Sequence, residues 1–242
     1  MARRLPRNNH KDTQNNCDRK KNIRDKVLSV IIACEDESSA PTYFKMIVKS
    51  LKENKVITQD SLVIANHKHN TPMGVLDDLI KYKEDGKSYK DFEHKWIVID
   101  RDAPRVNSGG HTKDDFNGAL SSAKIKEVEV AYANDSYELW YLLHFNHRTT
   151  AILRDEILKE VIQRLKTKNP IKFRDLDKEN IKTETYTKLI YEELLELQLT
   201  AIKNAKKLLE SHGETHNPER DNPSTTIHKL VEILNNLKDK ES

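Results

Sequence analysis

Cysteine is scarce in this 242-residue chain. There are two, Cys17 in a polar stretch and Cys34 in an apolar run. Residues so placed exclude a disulfide framework as the basis of stability. Glycine is scarce too, at six residues, and none belongs to a Walker-type phosphate loop. ATPase chemistry is therefore not expected of this chain. No apolar run approaches the ~18–20 residues of a membrane helix. Met1-Ala2-Arg3-Arg4 is basic but lacks the apolar stretch of a signal peptide. The expectation is a soluble, cytoplasmic protein of one large domain, or one domain with a smaller helical addition.

What the chain has in quantity is charge, unevenly spread. Residues 1–26 carry a net +6, from Arg3, Arg4, Arg7, Lys11, Arg19, Lys20, Lys21, Arg24 and Lys26 against three aspartates, while the remainder carries −3. An Asn-rich, apolar-poor arm of this kind is expected to be disordered and is suited to a phosphate backbone. Arg3, Arg4, Arg7, Arg19, Lys20 and Lys21 are its candidate nucleic-acid contacts. The plainer alternative is a solvated tail.

From residue 27 the apolar residues become periodic. Short runs rich in β-branched types predict strands at Leu28–Cys34, Ser61–Ala65, Trp96–Asp100 and Val128–Ala133. Helical spacing appears between them, from Pro41 to Leu51, Val75 to Ile80 and Phe116 to Ala123. Strands alternating with helices predict an α/β fold with a mostly parallel sheet flanked by helices. Beyond Glu138 the pattern is helical. Ile152 to Leu165 forms one stripe, an uninterrupted helix is predicted from Tyr186 to Ser211, and the last helix runs from Ile227 to Leu237. The expected division is an arm (1–26), an α/β core (27–148) and a helical C-terminal region (149–242) packed on the core.

Three acidic groups sit at predicted strand ends, where open α/β sheets place their sites. Glu35 follows the first strand, as a metal ligand, a general base or an ordinary loop acid. Asp100 and Asp102 follow the third, two apart, so that on an extended segment their carboxylates point the same way. Adjacent like charges need a neutralising partner. A hard divalent cation would serve, as would Arg101 or Arg105 beside a solvent-facing turn. At the fourth strand, Asp135 and Glu138 have the spacing of a helix capping box.

Taken together, CEDESSAPTYF (Cys34 to Phe44), WIVIDRD (Trp96 to Asp102), ANDSYELWYLLHF (Ala133 to Phe145) and NPSTTIHKLVEIL (Asn222 to Leu234) resemble, in order, the signature blocks of the RloB-like family. The resemblance implies a Toprim-like fold in which Glu35, Asp100 and Asp102 are catalytic and hold Mg²⁺ or Mn²⁺. It makes Asn134, Glu138 and Lys188 accessory candidates. It also implies a nuclease of anti-phage defence or abortive-infection loci, acting on DNA or on RNA such as transfer RNA, beside an AAA- or OLD-like ATPase. The sequence departs from the pattern at Asp36, where the family has glycine, at Ala40, where it has a second glutamate, and at Asp135, where it has proline. The departures at Asp36 and Ala40 favour the alternative of a non-catalytic nucleic-acid-binding or regulatory subunit. Nucleotidyl transfer on the same site is a third reading.

The remaining features read as structural. Trp140, Leu142, Leu143 and Phe145 are expected in the core. His144 and His147 lack the further ligands of a zinc site. Ser224, Thr225 and Thr226 are expected to cap the last helix.

Overall fold

The computed structural model describes residues 29–57, 61–104 and 109–237. The basic arm, with Arg3, Arg4, Arg7, Arg19, Lys20 and Lys21, lies outside the described residues, as do Cys17 and Arg105.

The apolar run after Ser29 forms β1 (Val30–Cys34), buried along its whole length. Helix α1 (Ser39–Glu53) begins two residues before the expected Pro41. The reason is Asp36, whose carboxylate accepts the backbone amides of Ser39 and Ala40 and the Ser39 hydroxyl. An acid at that end satisfies otherwise orphaned N–H groups and suits the helix dipole. Strand β2 (Leu62–Ile64) and helix α2 (Pro72–Ile80) follow. A small hairpin that the periodicity did not reveal, β3 (Lys83–Glu84) and β4 (Lys87–Ser88), turns at Asp85-Gly86. Then come β5 (His94–Asp100), α3 (Lys113–Ile125), β6 (Glu129–Asn134) and the short α4 (Leu139–Leu143).

The C-terminal part is helical: α5 (Arg154–Lys168), α6 (Glu184–Leu194) and α7 (Gln198–Ser211). The single helix expected over Tyr186 to Ser211 is broken by a 3₁₀ turn at Leu195–Leu197. Propensity alone gave no stop there, since no glycine or proline interrupts the run. Strand β7 (Ser224–Thr225) and helix α8 (Ile227–Asn235) complete the chain as described. The capping expectation holds in part: Thr225 Oγ1 accepts the amide of Ile227, the first residue of α8, at 3.2 Å, but Ser224 and Thr225 also form a strand. Ser224 and Thr225 pair antiparallel with Asn134 and Ala133. Thr226 stands at the start of α8 but spends its hydroxyl on Val130 O and Tyr132 N of β6.

The sheet order is β2-β1-β5-β6-β7, with the first four strands parallel. The chain leaves β1 toward β2, then returns past β1 to place β5 on its other side. The reversal makes the β1/β5 junction a switch point, where crossovers depart to opposite faces and leave a crevice beyond the strand ends. The two cores match this path. Ile31, Ala33, Ile97 and Ile99 pack under α2 and α3. Val30, Ile32, Trp96 and Val98 pack under α1 in one cluster that also holds Trp140, Val161, Leu194, Leu208 and Val231 from α4–α8. Trp140, Leu142 and Leu143 are fully buried, with Phe145 partly so.

Candidate active site

Glu35, Asp100 and Asp102 all line one cleft of about 390 Å³ at the β1/β5 switch point. Strand register does much of the placing. Cys34 pairs with Val98, so the next residue, Glu35, lies level with the end of β5. Its amide donates to Val98 O at 3.0 Å. Its Oε2 accepts the amide of Asp100 at 2.9 Å, and its Oε1 lies 2.7 Å from His111 Nε2.

Asp100 and Asp102 reach the cleft, but not by the strand alternation expected of an extended segment. Strand β5 ends at Asp100, and Asp102 adopts φ 28°, a left-handed conformation that aspartate tolerates better than most residues. The Asp102 amide donates to Asp135 O at 3.0 Å, and its carbonyl accepts the amide of His111 at 2.7 Å. Gly110 permits this close return. A Cβ there would lie 2.5 Å from Ala103 O and 2.6 Å from Asp102 O, and its φ of 85° is glycine's own territory. The Asp102 carboxylate meets Arg154 Nη1 at 2.7 Å. Arg101 points away, to His111 O and to Glu219 at 2.8 Å in a buried ion pair.

Asp135 and Glu138 do not make a capping box. Asp135 instead accepts the amides of Ala103 and Arg154, tying the β5 loop to the start of α5. Glu138 is fully buried and pairs with Lys182 Nζ at 3.0 Å. Asn134 donates to the carbonyls of Pro218 and Glu219 and does not line the cleft. Lys188 pairs with Glu184 on an exposed turn of α6, and it too is absent from the cleft wall. Among the described residues, the basic side chains of the cleft are Arg154, Lys182 and His111. None of the three was singled out in the sequence, and His111 follows Gly109-Gly110 in the loop after β5. Arg154 and Lys182 come from the helical region, where no spacing marked them.

The electrostatics turn on burial. Burial pushes the Asp100 carboxyl well above the usual carboxylate range, and neighbouring Glu35 adds to the effect, against the pull of Lys182 and Arg154. Among the described residues its carboxylate has no hydrogen bond or ion pair. Burial would also raise Glu138, but Lys182 and Arg154 outweigh it and hold the group below its ordinary value. Burial disfavours a charged His111, yet the hydrogen bond and charge of Glu35 outweigh it and raise its pKa. In sum, five carboxylates (Glu35, Asp36, Asp100, Asp102 and Glu138) face Arg154, Lys182 and His111 in and beside the cleft.

Such a donor set is hard oxygen, and Asp100 offers a buried carboxylate in need of a cation, which fits a magnesium-class ion. Glu35 and Asp102 are turned toward His111 and Arg154, and ligation would require them to share or release those partners. Among the described residues, the one trio of potential ligand side chains with atoms within 4.8 Å of one another is elsewhere, at His212, His216 and Asp221. His144 is buried, bonds Trp140 O through Nδ1, and is pushed down to about 4 by burial. It belongs to the core.

A family model described as RloB-like protein matches residues 30–234, most of the chain. No curated protein and no solved structure matches.

Proposed function

The chain belongs to the RloB-like family, and we propose that it is a metal-dependent nucleic-acid phosphodiesterase centred on Glu35, Asp100 and Asp102. One observation carries the reading: among the described residues, five carboxylates meet three basic side chains at a sheet switch point, and the buried Asp100 carboxylate has no hydrogen bond or ion pair there. A cleft with that balance repels a phosphodiester and attracts a divalent cation. In this reading Asp100 and Asp102 hold Mg²⁺ or Mn²⁺, with Glu35 as a further ligand or as the base. The ion, when bound, polarises the phosphoryl oxygens and lowers the pKa of water.

The chain's own groups supply the rest. Arg154 and Lys182, beside Asp102 and Glu138, offer donors to phosphate oxygens once the acids are satisfied by the metal. His111 holds Glu35 in place through Oε1 while Asp100 N holds it through Oε2. The α1 amides are already taken by Asp36, so that helix end is closed to phosphate. The basic arm would hold the backbone of DNA, or of RNA including transfer RNA. The proposed setting is anti-phage defence with abortive infection, beside an AAA- or OLD-like ATPase. Among the described residues no helix is long and apolar enough to cross a membrane, which agrees with the proposed cytoplasmic setting.

A second reading, a non-catalytic binding or regulatory subunit, is favoured by one specific feature. Glu35, Asp102 and Glu138 each already have a cationic partner in His111, Arg154 and Lys182. Metal titration separates the two. Under the nuclease reading, cleavage of labelled DNA or RNA rises with Mg²⁺ or Mn²⁺, and Asp102→Asn shifts the half-maximal metal concentration upward. A wild-type protein that binds nucleic acid but cleaves none at any metal concentration, with or without the ATPase, supports the regulatory reading instead.

A further inference from the structure

The polar loop between α7 and β7 brings His212, His216 and Asp221 together, with side chains 19%, 22% and 24% exposed. Their hydrogen bonds are unusually informative about protons. His212 Nε2 lies 2.9 Å from the Pro223 carbonyl, which only accepts, so Nε2 carries the proton and a neutral His212 has a bare Nδ1. That Nδ1 lies 3.8 Å from Asp221 Oδ2.

His216 is held in the same posture. Its Nδ1 is 2.6 Å from Asp221 Oδ2 and its Nε2 is 2.5 Å from the Tyr132 hydroxyl. Tyr132 donates its hydroxyl to Ser224 Oγ at 3.3 Å, which leaves its oxygen able to accept a hydrogen bond from Nε2–H. The two imidazoles stack, with centroids 5.4 Å apart, which puts both Nδ1 atoms on the Asp221 side. His212 Nδ1 and His216 Nδ1 thus both lie beside Asp221 Oδ2, at 3.8 Å and 2.6 Å. Without a metal, a proton shared between His216 Nδ1 and Asp221 Oδ2 accounts for the shorter contact. A metal ion at the same place would displace that proton.

We propose that His212 Nδ1, His216 Nδ1 and Asp221 Oδ2 form a zinc-class metal site with water completing the shell, separate from the Glu35–Asp100–Asp102 cleft. One ligand atom from each of the three residues lies within 4.8 Å of the other two. A tetrahedral ion bound at ~2.0–2.1 Å spaces its ligand atoms by about 3.3 Å, a value bracketed by the 2.6 Å and 3.8 Å separations. Each ligand also has the outer partner such sites use to fix tautomer and orientation: Pro223 O for His212, Tyr132 for His216 and the Asn217 amide for Asp221. Imidazole ligands select zinc over magnesium. The ion would pin the loop whose Pro218 and Glu219 carbonyls receive Asn134 and whose Glu219 side chain receives Arg101. It would thereby steady the ends of β5 and β6 without touching a substrate.

The test is a Zn²⁺ titration of chelator-stripped full-length protein against a chromophoric zinc indicator. Wild type and the Asp100→Asn, Asp102→Asn double variant should bind one zinc with equal affinity. His212→Ala and Asp221→Asn should weaken it at least tenfold, and zinc uptake should release protons. One equivalent of Co²⁺ should give wild type the visible absorption of a tetrahedral site, a readout that does not depend on how well a variant folds. Unchanged zinc affinity in His212→Ala, zinc that follows the cleft variant, or a wild type with no tetrahedral Co²⁺ band would each overturn the proposal.

Discussion

Glu35 Oε2 accepts the backbone amide of Asp100 at 2.9 Å, so the acid at the end of one strand is oriented by the acid-bearing end of its neighbour. The bond fixes the spacing of two carboxylates across the sheet's switch point. It also places the Glu35 charge where it helps raise the Asp100 pKa. The chain accepts that repulsion in its folded state, and the cost should be measurable.

Asp100→Asn is expected to raise the melting temperature by a few degrees at neutral pH, the shift that ~1–2 kcal/mol produces in a chain of this size. The sign follows from linkage. A carboxyl whose folded pKa lies above its unfolded value of ~3.9 carries no penalty below that pH. The penalty grows as pH rises toward the folded pKa. The gain of the amide should therefore vanish near pH 4 and be full at alkaline pH in paired thermal melts. A variant less stable than wild type at pH 8 would contradict the assignment.

Lys182→Met should destabilise by roughly 3–5 kcal/mol, because it strands a buried Glu138 carboxylate. Adding Glu138→Gln should recover much of that loss. In wild type, Lys182 and Arg154 hold the Glu138 carboxyl below its ordinary value. Its contribution is present above the unfolded value of ~4.3 and is lost as pH falls through the folded value. Urea unfolding at pH 7 and at pH 4 checks both statements. Additive losses from the two substitutions would show that they are not a pair.

Gly110→Ala forces a Cβ to within 2.5 Å of the Ala103 carbonyl. The loop must move, and His111 with it. The expected result is a large loss of activity, on the order of a hundredfold for a displacement near 1 Å. Far-UV circular dichroism should be unchanged. Wild-type turnover in this variant would mean that the His111 loop has no part in the site.

Deleting residues 1–24 should weaken nucleic-acid binding and flatten its dependence on salt. The arm's +6 charge is expected to release counterions from the phosphate backbone. Anisotropy titrations at several salt concentrations measure the slope. An unchanged slope would make the arm a tail without contacts.

The strand ends were legible because β1, β5 and β6 are each a short, mostly apolar run with an acid at or just past its end. Alternating strands and helices therefore located Glu35, Asp100 and Asp102 at the ends of β1 and β5. What stayed hidden came from elsewhere in the chain. Arg154 and Lys182 sit in a helical region where a basic residue usually faces water, and no local period marks one that turns inward. Asp135 and Glu138 matched a capping box in spacing, yet tertiary partners claimed both side chains. Ser224 and Thr225 are polar enough to read as a cap. They form an edge strand because β6 has an open side there and Tyr132 O accepts the Thr225 hydroxyl. Sequence order also hid the His212–Asp221 cluster, whose ligands face one another only after the loop folds back on Tyr132.

The most direct test of the central claim is a cleavage assay on purified full-length protein, wild type beside the Asp100→Asn, Asp102→Asn double variant. Each is incubated with DNA or RNA, Mg²⁺ or Mn²⁺, and an ATPase of the proposed partner class. The account predicts metal-dependent cleavage by wild type, abolished by chelator, and none by the double variant although it folds and still binds nucleic acid. Full cleavage by the double variant would contradict it.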